Sequence, residues 1–335
     1  MKNMRWLPLT LAGLGAAGCD AMSPSDPGNL VPRTVAEDPS LPAIEMNGSR
    51  FHVETRGNPA DPVIVFLHGG PGGDYRSMLK LANRYNGYSL ADDHFLVYWD
   101  QRGSGLSKRV DSNELTIATY VNDLNSIISR FSPGRPVYLI GISWGGMFAA
   151  RYINEFPQRV AGAVLIEPGP LDGSTMERIE DELNPIDLGD EWLNDVVWSS
   201  QFLSPDDHAR MDFARLLGMK SSQPANHIDT VNPETAWRMG AAANKYIMED
   251  GQDRKGRFNF DFTTNLSRYT TPVLFVAGAL SEVLGESLQR TQVLRFPSAS
   301  LKVVSGAGHD VAWVKTPEVL SLIKPYLDAR RGGVR

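Results

Sequence analysis

The chain has 335 residues, 42% of them hydrophobic, and a formal net charge of −6. That length supports one large core plus an inserted subdomain. The acidity is modest and there is no Lys/Arg run, which excludes the basic surface a nucleic-acid partner requires.

Lys2 and Arg5 precede an apolar stretch over residues 6–17 that is too short for an ordinary spanning helix. Residues 1–18 therefore read as an export signal. Its removal takes away those two positive charges and no acid, leaving −8. Cys19, the only cysteine, follows Ala16-Ala17-Gly18. An odd cysteine in an exported chain needs a reason. The context resembles a bacterial lipobox, with alanine at the first place where leucine is usual. That resemblance implies a lipid anchor at Cys19 and a place in the cell envelope, periplasmic or on the outer face. Residues 19–42 contain Pro24, Pro27, Pro32, Pro39 and Pro42 and read as an extended tether.

Regular structure is expected from residue 43. Residues 43–46 and 51–54 form a hairpin around Asn47-Gly48. The apolar run 63–67 reads as a buried strand and ends in His68-Gly69-Gly70-Pro71-Gly72. Glycines there let backbone N–H groups face a substrate oxygen, whereas Pro71 has no N–H to give. A helix is expected over 76–85, a strand over 95–99, the loop Asp100-Gln101-Arg102-Gly103-Ser104-Gly105, and a helix over 117–131. This alternation implies a mainly parallel sheet covered on both faces.

Residues 136–140 form the next strand and 146–153 the next helix. Between them lies Gly141-Ile142-Ser143-Trp144-Gly145. A Gly-x-Ser-x-Gly between a strand and a helix is a nucleophile elbow, which makes Ser143 the candidate nucleophile. The oxyanion donors expected with it are the N–H groups of Gly70 and of Trp144, the residue after the serine. The strand over 160–166 ends in Glu167, 24 residues after Ser143. From 169 to 269 the alternation gives way to polar helical patterns, with helices expected over 176–183, 209–217 and 233–248. An insertion here reads as a cap that shapes the pocket and excludes water. It carries Glu177, Glu180, Asp181, Glu182, Asp190 and Glu191, acids that most simply form solvated helix faces. Strands follow over 272–278 and 301–304. His309, in Ser305-Gly306-Ala307-Gly308-His309, is the candidate base, since serine first and histidine last is a known chain order for a hydrolytic triad. His68 reads as a structural residue of its loop. The histidines show no ligand spacing, so a metal site is not expected, and acyl transfer by a serine and a histidine needs no organic cofactor.

Three motifs, His68 to Gly72, Asp100 to Gly105 and Ser143-Trp144-Gly145-Gly146, resemble those of the proline iminopeptidases. The resemblance covers roughly residues 45–170 and 270–330. It implies an α/β-hydrolase fold: a mainly parallel sheet flanked by helices, with core segments 43–168 and 270–330 and a helical cap over 169–269. It also implies removal of an N-terminal residue from a small peptide or amide through an acyl-enzyme, and a structural role for Arg102, paired with a carboxylate. The sequence departs from the family at the triad acid, because Gly278-Ala279-Leu280-Ser281 places a serine where an aspartate is usual. The acid is then Glu167, Glu282 or absent. Residues 160–167 are similar to the strand that carries the acid in a group of haloalkane dehalogenases, and an acid ending an apolar strand needs a partner. The family's cap element, Trp-x-x-Trp-Glu, is reduced here to Ala236-Trp237-Arg238-Met239-Gly240. A carboxylesterase of small acyl groups, or a catalytically weak ligand-binding lipoprotein, therefore stand as alternatives.

Overall fold

The computed structural model describes residues 31–183, 206–221 and 234–330. Eight strands form one sheet in the order β1-β2-β4-β3-β5-β6-β7-β8. They are β1 (Ala43–Met46), β2 (Ser49–Arg56), β3 (Val63–Leu67), β4 (Phe95–Trp99), β5 (Val137–Ile142), β6 (Val160–Ile166), β7 (Val273–Gly278) and β8 (Ala299–Val304). The first two pair antiparallel, through a turn in which Asn47 (φ 46°) and Gly48 (φ 72°) both take left-handed backbone. Such a two-residue turn matches the twist of the strands it joins. From β4 to β8 every pairing is parallel.

Every residue of β3, β4, β5 and β7 is buried, which is why these strands read as unbroken apolar runs. One face is covered by α1 (Ile117–Phe131) and α2 (Trp144–Glu155). In α1, Tyr120, Val121, Leu124, Ile127 and Ile128 fall on one stripe, and the Thr116 hydroxyl accepts the Thr119 N–H to cap the start. The other face is covered by α8 (Thr316–Asp328), through Val319, Leu320, Ile323 and Leu327. Each such buried aliphatic side chain contributes about 1.5–3 kcal/mol relative to exposure.

The described elements between β6 and β7 are three α-helices, α3 (Gly173–Leu183), α4 (Asp207–Ser221) and α5 (Ala241–Asp250), and a short 3₁₀ segment, Leu266–Arg268. After β7 come α6 (Glu286–Gln292) and the short α7 (Val311–Val314). Three expectations differ from what is found. In place of a helix over 76–85 there is a 3₁₀ segment, Ser77–Ala82, followed by a tight turn at Asn86 (φ 50°) and Gly87 (φ 81°) that pairs Tyr85 with Tyr88. The helix expected from 233 begins at Ala241, because the N–H groups of Trp237, Arg238 and Gly240 are taken by Asp74 and the Gly72 carbonyl. Pro233 itself lies outside the described residues. Residues 31–42, expected as part of a tether, are instead seated on the fold: Val35 is fully buried, its N–H donates to Leu106 O at 2.8 Å, and Arg238 donates to Pro32 O at 2.9 Å. Two valines four residues apart, Val31 and Val35, seat this stretch despite its prolines. Cys19 and residues 1–18, read above as an export signal, fall outside the described residues, as do Asp190 and Glu191. Among the described residues no helix is long and apolar enough to cross a membrane.

Candidate active site

The sheet order places β3 between β4 and β5, so the chain reverses direction across the sheet at β3/β5, and the loops after these strands open a crevice. Leu67 pairs with Gly141, Ile142 with Ile166, Ile166 with Val276, and Gly278 with Val304. This register brings the residues after β3, β5, β6, β7 and β8 to one edge.

At the end of β5, Ser143 is held at φ 54°, ψ −121°, with its N–H donating to Ile166 O at 3.0 Å. A non-glycine residue in such backbone is strained, and strain of this kind gathers at functional sites. Gly145 makes the turn possible: a Cβ there would lie 1.9 Å from Leu67 O. Trp144 opens α2, whose first N–H groups have no helical acceptor. Across from it, the Gly69 backbone lies against Ser143, close enough that a Cβ would be 3.3 Å from the serine Cβ. Ser143, Trp144, Gly70 and His309 all line one cavity of about 490 Å³.

Glu167 ends β6 with left-handed backbone (φ 40°) and no solvent exposure. Its Oε2 meets His309 Nδ1 at 2.7 Å, and its Oε1 accepts the Gly278 N–H at 2.6 Å. Burial disfavours the charged imidazole, but the Glu167 hydrogen bond and charge, with Glu234 and Asp310 nearby, reverse this, so His309 is raised above 6.5. Glu282 is exposed on the loop after β7 and does not line the cavity. Ser281, at the place where the resemblance expected an aspartate, is buried with its hydroxyl unpaired among the described residues.

His68 is fully committed to its loop. Its Nε2 accepts the Gln101 N–H at 3.0 Å, so Nδ1 carries the proton and donates to Gly69 O at 2.9 Å. Burial lowers its pKa, which keeps it neutral. Gln101 then joins the two halves of the crevice: its amide donates to His68 O at 3.2 Å and accepts from the Trp144 indole at 2.9 Å. Arg102 pairs with Asp123 at 2.8 Å and Glu114 at 2.8 Å, tying the 100–105 loop to α1.

Three ionisable cavity residues carry no motif in the sequence that marks them: Asp74, Glu234 and Arg215. Asp74 directly follows the glycine-rich loop, the one signal that could have flagged it. Burial, then the neighbouring Asp100, pushes its carboxyl up to about 7, against the N–H donors of Arg76, Arg238 and Trp237. Glu234 is an exposed residue that lines the cavity. Desolvation by its surroundings raises its pKa, opposed by a Ser77 hydrogen bond and by His309. Of the acids foreseen in the cap, Glu177 is spent on the Phe258 N–H. Among the described residues no cluster of His, Cys, Asp and Glu could hold a metal ion.

Residues 62–316 match the family profile described as alpha/beta hydrolase fold. The chain is 24% identical over 291 residues to the proline iminopeptidase PfmaB of Pestalotiopsis fici, covering 85% of this chain and 98% of that one. It is 27% identical over 284 residues to a proline iminopeptidase of Lactobacillus acidophilus, covering 79% and 90%. Among solved structures it is similar to Est816, described as an N-acyl homoserine lactone degrading enzyme. The TM-score is 0.58 at 19% identity, covering 85% of this chain and 99% of that one.

Proposed function

The chain belongs to the α/β-hydrolase family and is a hydrolase, and from that premise we propose that it is a serine hydrolase of small peptides or amides, proline iminopeptidase-like, acting through an acyl-enzyme. The observation that carries the reading is the pairing of Glu167 with His309 at 2.7 Å beside a cavity that also holds Ser143 in strained backbone.

The steps follow from those atoms. Ser143 Oγ attacks the substrate carbonyl carbon while His309 takes its proton through Nε2, the nitrogen left free by the Glu167 contact. The buried Glu167 carboxylate fixes the imidazole tautomer and stabilises the imidazolium that forms. The tetrahedral oxyanion is held by the N–H groups of Gly70 and Trp144, neither of which donates to another group among the described residues. Collapse breaks the C–N bond, and His309 returns the proton to the departing amine. Water, deprotonated by the same histidine, then attacks the acyl-serine, releasing the acid and restoring Ser143.

The amine preference rests on the cavity wall. Two carboxyl groups with upward-shifted pKa, Asp74 and Glu234, form a surface that a protonated amine would relieve. Glu234 is the better placed of the two to meet substrate, because Asp74 already accepts three backbone N–H groups. A second reading, an esterase of small acyl groups, is supported by Trp237. Its ring packs edge-on against Tyr75 and His52 at 5.1 and 5.4 Å, so the one remnant of the family's cap element serves packing.

The N-terminal segment carries a further part of the proposal: export, with lipid attachment at Cys19 holding the enzyme at the cell envelope. The test of the function is hydrolysis of prolyl-anilide against N-acetylprolyl-anilide and a short nitrophenyl ester. A peptidase cleaves the free-amine anilide and discriminates against the acetylated one by roughly 10²-fold or more. Turnover of the ester alone sinks the peptidase and leaves the esterase.

A further inference from the structure

Asp212 and Arg215 lie one turn apart on α4, and their situations are opposite. Asp212 is fully buried and its carboxylate is saturated. It accepts from Arg238 Nε at 2.7 Å, from Arg109 Nε and Nη2 at 3.0 and 2.8 Å, and from the Ala241 N–H at 2.9 Å. Nothing of that acid is left for Arg215. Among the described residues, Arg215 makes no ion pair, and its Nε is buried without a hydrogen-bond partner. Burial lowers its pKa, with no neighbouring charge among the described residues contributing. Yet the side chain lines the same cavity as Ser143 and His309.

A half-buried cation that lines a cavity with no counter-charge among the described residues is costly, and arginine does not escape by losing its proton. Such a group is stable in a cavity when a ligand supplies the anion, and a guanidinium matches a carboxylate with two parallel hydrogen bonds. We infer that Arg215 is a specificity-determining residue that binds a carboxylate of the substrate. This rests on, and sharpens, the hydrolase reading above. A cavity offering carboxyl groups from Asp74 and Glu234 and an unpaired guanidinium from Arg215 complements a molecule with both an amine and a carboxylate. A short peptide with both termini free has that chemistry, and about 490 Å³ lies within the range of small-molecule sites. The substrate class is therefore a free di- or tripeptide, in preference to the N-terminus of a long chain or an uncharged amide.

The test uses the full-length chain and two matched substrate pairs, each with the carboxylate on the leaving group: prolyl-alanine against prolyl-alaninamide, and 4-carboxyphenyl butyrate against 4-carbamoylphenyl butyrate. Wild type should favour the anionic member by about 10- to 100-fold in kcat/KM, mostly through KM, the scale of a lost charged hydrogen bond. In Arg215→Gln the ratio between members should fall close to one, and in Arg215→Lys it should be intermediate. Equal use of both members by wild type, or a ratio that survives Arg215→Gln, overturns the inference. If only the ester pair is turned over, the peptidase reading fails, and the same ratio on the esters still decides the role of Arg215. Calorimetric binding of succinate to wild type and to Arg215→Gln decides it without any turnover. Binding lost in the variant supports the role, and no binding to wild type, or equal binding, removes it.

Discussion

Glu167 and His309 are 142 residues apart in the chain and 2.7 Å apart in the fold, Oε2 against Nδ1, with the other Glu167 oxygen held by the Gly278 N–H at 2.6 Å. A carboxylate fixed at both oxygens cannot swing away, so the imidazole faces it in one orientation. Burial alone would lower the His309 pKa, yet the Glu167 contact carries it above 6.5. The imidazole must be neutral to act as base. The acid limb of kcat/KM should therefore have a midpoint above 6.5, and Glu167→Gln should move it downward as burial loses its main opponent. A pH profile of both proteins checks this; a midpoint unmoved by the substitution contradicts it. The linked stability has a matching sign. With the folded pKa raised, the contribution of this pair is fully present below about 6.5 and is lost as pH rises through the folded value.

Arg102 gives a stability prediction separate from catalysis. Its guanidinium spans both oxygens of Asp123 at 2.8 and 2.9 Å, and it also reaches Glu114 and the Asn47 carbonyl, each at 2.8 Å. Burial raises the Asp123 pKa and the Arg102 hydrogen bonds oppose it, so the pair depends on both members. Arg102→Ala leaves the buried Asp123 carboxylate without a charged partner, with only the Asn47 amide beside it at 3.1 Å, and should cost about 3–5 kcal/mol in denaturant unfolding. Arg102→Lys, which keeps the charge and loses the fork, should recover only part. A loss under about 1 kcal/mol would mean that the pair behaves like one at the surface.

Asp74 joins the glycine-rich loop to the 236–240 segment, and its carboxyl is raised from 3.8 to about 7. The folded state therefore holds this proton more tightly than the unfolded chain does. Its contribution to stability is fully present below 3.8 and is lost as pH rises through about 7. His309 acts in the same direction, so the useful quantity is a difference. Between about pH 5 and about pH 8 the denaturant midpoint of wild type should fall more steeply than that of Asp74→Asn. Parallel curves would show that Asp74 is ionised throughout.

Much of the fold is legible in the sequence for a plain reason. A strand buried on both faces has no polar alternation to confuse it, and β3 and β4 begin and end where their apolar runs do. The bounds of α1 are equally clear, set by Thr116 as cap and by a stripe at helical spacing. Within the site, the Ser143 elbow is visible because glycine is required where Gly145 touches Leu67 O, and Glu167 because an acid ending an apolar strand must have a partner. The rest depends on contacts that no local pattern records. Residues 236–240 have helical composition, but their N–H groups are claimed by a loop more than 160 residues earlier. Gly240 is needed only because a Cβ would lie 2.1 Å from Gly103 O. Arg215 looks like any arginine on a polar helix until its neighbour Asp212 is seen to be fully used by Arg109 and Arg238.

The most direct test of the central claim is kcat/KM for prolyl-anilide and an activated ester, measured on wild type, Glu167→Gln and Glu282→Gln. The account predicts a loss on the order of 10⁴-fold in Glu167→Gln, as for removal of a triad acid, and a near-wild-type rate in Glu282→Gln, whose side chain is exposed. Equal activity in all three proteins, or a loss confined to Glu282→Gln, would contradict it.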